Sequence, residues 1–116
     1  MNTTLSEDMI VADSAAVKEA FKAYRVFMTR YEELYKLIVI TGMETYTQDQ
    51  IFFVSYAMTM CEKSRRHAVY YYLYPSSAIP NHHRTNMALM NFDRFAIAFN
   101  CPAGSPMNPD TKCDVY

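Results

Sequence analysis

A stripe of apolar residues at three- and four-residue steps constrains the fold of this chain more than any other feature. Because 3.6 residues make one turn, residues at these steps lie on one helix face, and charged residues fill the other. The pattern predicts an amphipathic helix from Met9 over about six turns, ending near Gly42, since glycine is common just past a helix end. The stripe consists of Val17, Ala20, Phe21, Tyr24, Phe27, Met28, Tyr31, Leu34, Tyr35 and Ile38.

Further helices are predicted downstream. Thr47 and Gln50 have the spacing of a capping box, in which each side chain bonds the other residue's backbone N–H. The body that follows, IFFVSYAMTMC at 51–61, is apolar on all sides, which is typical of a helix buried on several sides. A chain of 116 residues offers little to bury it. We expect helix again over 62–75 and 91–100, with loop at 75–84, where two prolines stand among small and polar residues.

Residues 99–116, FNCPAGSPMNPDTKCDVY, are predicted to form an irregular tail. The segment holds three of the chain's five prolines, and each removes a backbone donor and disfavours helix in the residue before it. Cys101 and Cys113 are candidates to hold this tail in place. Together with Cys61 they make an odd number, which suggests disulfide partners outside the chain.

Composition and short motifs exclude several function classes. With 11 basic and 12 acidic residues and a net charge of −1, there is no basic field for a nucleic acid. The longest aliphatic run, Leu37–Ile40, is far short of the roughly 20 residues that span a bilayer, and the first residues do not read as a signal peptide. No HExxH motif, phosphate loop or GxSxG is present. His82 and His83 are adjacent and point in opposite directions if extended, so we interpret them as loop surface.

Several ordered segments resemble the neprilysin and endothelin-converting-enzyme family of zinc metallopeptidases. CPAGSPMNPDTKCDVY resembles the family's C-terminal Cys-Pro-x-Gly-Ser-x-Met-Asn-Pro run, which closes on Cys-x-Val-aromatic. TQDQIFFVSYAMTMC is similar to Gln-Leu-Phe-Phe-x-x-aromatic-Ala followed by a cysteine, RTNMALMN to Arg-Val-Asn-Gly-x-Leu-x-Asn, and ADSAAVKEAFKAY to Ala-Asp-x-Gly-Gly-Leu-x-x-Ala-Tyr-x-Ala-Tyr. The resemblance implies a mainly α fold: the C-terminal helical portion of a neprilysin-like (thermolysin-like) catalytic domain. Residues 1–116 would be a partial peptidase domain, ending in a cysteine-anchored tail at 99–116.

The resemblance also implies that this chain does not itself bind the catalytic zinc. In the family, the HExxH helix supplies two zinc ligands and the general base, and it would lie before residue 1. A Glu-x-x-x-Asp pair supplies the third ligand and a carboxylate that orients a ligand histidine. Asp13 matches that aspartate, but Met9 stands at the ligand position, and Glu7 reaches it only with a two-residue insertion. We therefore expect no zinc ligand in this chain.

Two further family positions concern the peptide substrate. Arg84 matches the arginine that binds a substrate backbone carbonyl. Ala78 stands where the family has the histidine that stabilises the transition state, and loss of such a group usually costs about 10²–10³ in rate. The resemblance thus implies that the substrate contact is kept and the chemistry is lost.

The cysteines lead to an expected location for the parent protein. In the family, the counterparts of Cys61, Cys101 and Cys113 pair with cysteines earlier in the chain, which would lie before residue 1. Such disulfides imply an oxidising compartment, so the parent is expected at the cell surface or outside the cell. The first residues predict no signal peptide, and the sequence leaves the location of this chain open.

Two hypotheses remain from the sequence. The first is a fragment of a neprilysin-like zinc endopeptidase that is inactive alone, its partner being the missing N-terminal part of the same domain. The alternative is a stand-alone, non-catalytic module that binds peptides through Arg84 or pairs with another chain through its cysteines.

Overall fold

The computed structural model describes residues 3–63, 65, 67 and 79–113, and it is mainly helical. The helices are α1 (Thr3–Arg30), α2 (Glu32–Tyr35), α3 (Gln48–Thr59), α4 (Asn81–Met90) and α5 (Asp93–Ala98). No strand occurs within these ranges. None of the described helices is long and apolar enough to cross a membrane. The mainly α fold expected from the sequence is confirmed.

The core lies where α1, α3 and α4 meet. Its buried residues come from all three helices, and aromatic side chains of α3 and α5 pack around it. Phe21 stacks on Phe53 with ring centroids 5.2 Å apart, and Phe95 contacts Phe53 edge-on at 5.5 Å. The core consists of Val17, Phe21, Phe53, Ala88 and Leu89. The first half of the predicted apolar stripe therefore forms the core face of α1.

The predicted single helix to Gly42 is wrong in its second half. Tyr31 leaves helical geometry (φ −118°, ψ 26°), and only the four-residue α2 follows it. Beyond Tyr24 the stripe lies outside the core cluster: Phe27 packs locally on Tyr31 and Tyr35, with ring centroids 4.9 and 5.3 Å apart, and Leu34 is 57% exposed. Helix length in proteins depends mainly on packing of the apolar face, so the stripe alone overestimates this helix. Gly42 adopts the left-handed φ of 85° in a separate turn.

The second helix follows the sequence closely. Thr47 accepts a hydrogen bond from the Gln50 backbone N–H at 3.2 Å, and the Gln50 side chain accepts one from the Thr47 N–H at 2.9 Å. The predicted capping box is confirmed. Only Phe53 of this helix is fully buried. Phe52 and Tyr56 are partly buried against the core, whereas Met58 is 69% exposed.

The predicted loop at 75–84 is wrong at its end. Pro80 is the residue before α4, with φ −54° and ψ 138°, and its fixed φ suits the start of a helix. His82 and His83 therefore lie on a helix, with ring centroids 4.1 Å apart, rather than on extended backbone. Both are exposed, as expected. The helix predicted over 62–75 falls largely outside the described residues.

The C-terminal tail is irregular through residue 113, as predicted. Hydrogen bonds hold its turns: the Asn108 side-chain amide donates to the Cys101 carbonyl at 2.9 Å, and the Gly104 N–H donates to the Asn108 carbonyl at 2.9 Å. The Cys113 N–H donates to Asn91 Oδ1 at 3.1 Å and so ties the tail to the end of α4. The last predicted helix, 91–100, is present in shorter form as α5.

Candidate functional site

Asp13 lies on the buried side of α1. It stands one turn before Val17 on the same helix face, which is why its side chain is only 11% exposed although it carries a carboxylate. Charged side chains are rarely this buried without a partner. Its position therefore requires a cation from a neighbouring helix.

Arg84 supplies that cation from α4. Its Nε donates to Asp13 Oδ2 at 2.7 Å, and its Nη2 donates to Asp13 Oδ1 at 2.7 Å. This is the bidentate geometry in which a guanidinium and a carboxylate bind most strongly. The pair joins α1 to α4, and 24% of the Arg84 side chain stays exposed to solvent.

The ion pair changes the electrostatics of its surroundings. The hydrogen bonds that Arg84 donates to Asp13 raise the pKa of Arg84 above its usual value, against the opposing effect of burial. Burial raises the pKa of the Tyr56 hydroxyl above 10.0, the charge of Asp13 raises it further, and Arg84 lowers it. Tyr56 on α3 therefore lies within the electrostatic reach of both members of the pair.

Two buried hydroxyl groups, one on α1 and one on α3, have no hydrogen-bond partner in the part of the chain that the structure describes. One is the Tyr56 hydroxyl and the other is Ser14 Oγ, on the turn of α1 that carries Asp13. The sequence did not single out either residue. The sequence does indicate where the ring of Tyr56 lies: it follows Phe53 by three positions, so both rings share the core face of α3.

Almost the whole chain resembles one known protein family. The sequence profile of peptidase family M13 matches residues 1–115. The chain belongs to peptidase family M13. The resemblance predicted from the sequence motifs is thereby confirmed, and M13 membership implies a zinc metallopeptidase as the parent family.

Individual M13 relatives match over almost the whole chain. Neprilysin-11 of Caenorhabditis elegans is 37% identical over 116 residues, which cover 100% of this chain and 13% of the relative. Endothelin-converting enzyme-like 1 of Homo sapiens is 34% identical over 113 residues, covering 97% of this chain and 14% of the relative. The chain thus spans only 13–15% of the length of the first three relatives. No solved structure matches.

The residues described here do not fit the zinc of the M13 family by themselves. No group of three or more His, Cys, Asp or Glu side chains that could hold a metal ion occurs within the described ranges, whereas zinc sites in enzymes need three protein ligands. Met9 lies half-buried on α1 one turn before Asp13, and a thioether suits softer metals than zinc. Glu7 is exposed, and both oxygens of Asp13 are bonded to Arg84.

Of the two positions predicted to act on the peptide substrate, the structure describes one. Arg84 lies on α4 rather than at the end of a loop, and Ala78 falls outside the described residues. Beside Arg84's helix, a groove of about 360 Å³ runs past Cys61, Glu62, His82 and Thr85. The structure thus brings Asp13 and Arg84 together, and Met9 lies one turn before Asp13 on α1.

The three cysteines are free in this chain. Cys61 and Cys113 are exposed and Cys101 is half-buried. They lie at the end of α3, after α5 and near the end of the tail, and the structure pairs none with another. Their pairing with cysteines of other M13 segments stays a prediction.

Proposed function

We propose that this chain is part of an M13 metallopeptidase catalytic domain and supplies the arginine that binds the peptide substrate, without supplying the zinc-binding residues. Residues 1–116 form a partial domain in this proposal. The observation that carries it is the bidentate pair of Asp13 and Arg84, within a chain that matches the family over residues 1–115. In the pair, Arg84, which the resemblance assigns to the substrate, is held in defined geometry by Asp13, which the resemblance assigns to orienting a zinc-ligand histidine.

The chemistry of the pair favours a peptide carbonyl as its ligand. Asp13 neutralises the charge of Arg84, so an incoming carboxylate gains little from the net charge of the site. The guanidinium still has N–H groups that Asp13 does not use, and these can donate to a neutral carbonyl oxygen. An extended peptide presents such carbonyls along its backbone.

In this proposal the chain alone does not hydrolyse peptides. The 116 residues contain no HExxH motif, and Met9 and Ala78 stand at positions where the resemblance implies a zinc ligand and a transition-state histidine. When zinc is bound in the parent family, it supplies the Lewis acid and the activated water. The contribution of this chain is to bind and orient the peptide.

A cleavage assay tests the proposed inactivity. The purified chain is mixed with zinc and a doubly blocked hexapeptide, acetyl-Ala-Ala-Phe-Leu-Ala-Ala-amide, and mass spectrometry follows cleavage with and without chelator. We expect no chelator-sensitive cleavage. Stoichiometric bound zinc with chelator-sensitive cleavage would overturn the proposed inactivity.

Binding of the same peptide is measured by calorimetry. Arg84→Lys keeps the charge but loses the planar fork, and we expect about tenfold weaker binding for the loss of a charge-assisted hydrogen bond. Arg25→Gln is the matched control, because Arg25 forms a pair with Asp49 on an exposed surface. Equal affinities for the wild type, Arg84→Lys and Arg25→Gln would show that Arg84 does not contact the peptide.

The alternative, a stand-alone peptide-binding module, has one supporting observation. The Asp13–Arg84 pair forms from residues of this chain alone, so the binding geometry needs no other segment. Binding to the isolated chain at micromolar concentration, with no cleavage, would favour this module. Binding that is absent until the remainder of an M13 domain is added favours the partial domain.

A further inference from the structure

The start of α4 has no side-chain cap of its own. The first N–H groups of an α-helix lack a partner within the helix, and Pro80, the residue before α4, contributes no side-chain hydrogen bond. The Pro80 carbonyl accepts from the backbone N–H groups of His83 and Arg84, at 2.9 and 3.2 Å. The N–H of Asn81, which begins the same turn, therefore needs an acceptor from outside α4.

Glu62 supplies that acceptor from the segment after α3. Its Oε1 accepts the Asn81 backbone N–H at 3.1 Å, and its Oε2 accepts a hydrogen bond from the Asn81 side-chain amide at 3.2 Å. A carboxylate is also favourable at this place, because the N-terminus of a helix carries the positive end of the helix dipole. Glu62 therefore caps α4 from 19 positions away in the chain.

Arg84 lies on the turn that Glu62 holds. The Asn81 carbonyl accepts from Thr85 Oγ1 at 2.9 Å, which joins the start of α4 to a residue that is only 8% exposed. Arg84 lies between these two residues in the sequence, and its guanidinium binds Asp13 through two bonds of 2.7 Å. Helix ends fray, and a frayed first turn moves the Arg84 backbone with it. Because hydrogen bonds depend on angle as well as distance, the bidentate pair requires a fixed first turn.

We infer that Glu62 is a positioning residue for Arg84. By binding Asn81 it joins the segment after α3 to the first turn of α4, and it keeps that turn in the place from which the guanidinium reaches Asp13. A guanidinium held in this way presents its remaining N–H groups in one direction. The consequence that a peptide binds more tightly rests on the proposed function, whereas the fixed position of Arg84 does not.

Two substitutions at Glu62 and one control distinguish this role from the loss of any exposed hydrogen bond. Glu62→Ala removes both bonds to Asn81. Glu62→Gln keeps an oxygen that can accept the Asn81 N–H, but its amide nitrogen only donates, so the second bond is lost. Glu44→Ala is the matched control, because the Glu44 carboxylate accepts the Gly42 backbone N–H at 2.9 Å in an exposed turn outside α4.

The deciding experiment measures how firmly Arg84 is held. In the ¹⁵N-labelled chain, solvent exchange of the Arg84 Nε–H is slow while the guanidinium stays bound to Asp13. We expect Glu62→Ala to speed this exchange severalfold, Glu62→Gln to speed it less, and Glu44→Ala to leave it unchanged. The backbone N–H of Leu89, buried later in the same helix, reports opening of α4 as a whole. Unchanged Arg84 exchange in Glu62→Ala overturns the inference, and so does an increase that Leu89 or the Glu44 control matches.

Peptide binding gives a second readout. Glu62→Ala should weaken binding of the blocked hexapeptide about threefold, toward the lower end of the range for one hydrogen bond, because Glu62 is exposed. In an Arg84→Lys background that effect should shrink, because the two residues act through one network. If the wild type binds no peptide while Arg84 exchange still depends on Glu62, the proposed function is wrong and the positioning role stands. If the wild type and Glu62→Ala bind the peptide equally well, the positioning role is wrong and the proposed function stands.

Discussion

A single ion pair connects two distant parts of this M13 chain. Asp13 and Arg84 are 71 positions apart, and both side chains are mostly buried. A buried pair contributes less net stability than its geometry suggests, because both charges lose their hydration. Removing one member is a different matter, since the other charge then remains buried without compensation.

Arg84→Gln should therefore lower the free energy of unfolding by about 2–4 kcal/mol. The reason is that Asp13, 11% exposed, loses its cation and keeps its charge. Urea denaturation at neutral pH measures the change. Arg25→Gln serves as the control and should cost less than about 1 kcal/mol, because Arg25 is 58% exposed. Similar losses in the two variants would show that burial of the Asp13 pair does not matter.

We expect the chain to lose stability at alkaline pH because of Tyr24 and Tyr56, whose hydroxyl groups are buried. Burial is the largest cause that raises the pKa of both Tyr24 and Tyr56 above 10.0. The folded chain thus holds these protons more tightly than the unfolded chain. Their contribution is fully present below pH 10.0 and is lost as the pH rises through the folded-state pKa values.

Urea denaturation at several pH values between neutral and strongly alkaline measures this loss. The Tyr24→Phe, Tyr56→Phe double variant should show a smaller decline in unfolding free energy above pH 10.0 than the wild type. Tyr46→Phe, at an exposed tyrosine, should follow the wild-type curve. An unchanged decline in the double variant would argue against a linkage to these two hydroxyls.

Among the helices, α3 has the best-defined start. Besides completing the capping box, Gln50 donates from Nε2 to the Ala98 carbonyl at 2.8 Å. Ala98 is the last residue of α5, where carbonyls have no partner within the helix. The Gln50 side chain thus forms hydrogen bonds with a backbone N–H at the start of α3 and with a backbone carbonyl at the end of α5.

Substitutions at the start of α3 should separate these two contributions. Thr47→Ala should cost about 1 kcal/mol, a usual value for a lost cap. Gln50→Ala should cost more, because it removes the bond to Ala98 as well as its half of the capping box. Thr45→Ala, at an exposed position outside the helix, is the control and should be close to neutral. Thermal unfolding ranks the three, and an equal cost for Thr47 and Gln50 would mean that the bond to Ala98 adds nothing.

The same elements show what the sequence could and could not reveal. The capping box depends on residues three apart, so it was readable from local spacing. The end of α1 was not readable, because it depends on whether Phe27 and Leu34 find partners in space. The motifs identify Asp13 and Arg84 as separate site residues, but the contact between them arises from the packing of α1 against α4. Pro80 belongs to the predicted loop, although it is the residue from which α4 begins.

Taken as a whole, the molecule is longer than a compact domain of its size. Its radius of gyration is 16.2 Å and its extents are 50 × 31 × 25 Å, whereas a compact chain of this length has a radius of gyration of about 13 Å. The end of α1, α2 and the turn that follows extend beyond the core. Their exposed apolar residues form what we call the apolar end: Val26, Phe27, Tyr31, Leu34, Leu37, Ile38, Val39 and Ile40.

The apolar end should make this chain self-associate. Contiguous exposed apolar surface is uncommon on soluble monomers and promotes association, and Leu37 and Val39 are 80% and 66% exposed. The average mass from sedimentation should rise with wild-type concentration, under reductant so that the exposed cysteines do not cross-link. Leu37→Ser combined with Val39→Ser should reduce this rise strongly.

Met58→Ser combined with Ile97→Ser is the control. It removes two residues that are 69% and 64% exposed but lie on other helices, so this variant should behave like the wild type. If the two double variants lower the association equally, total exposed apolar area drives it, and the apolar end has no special part in it.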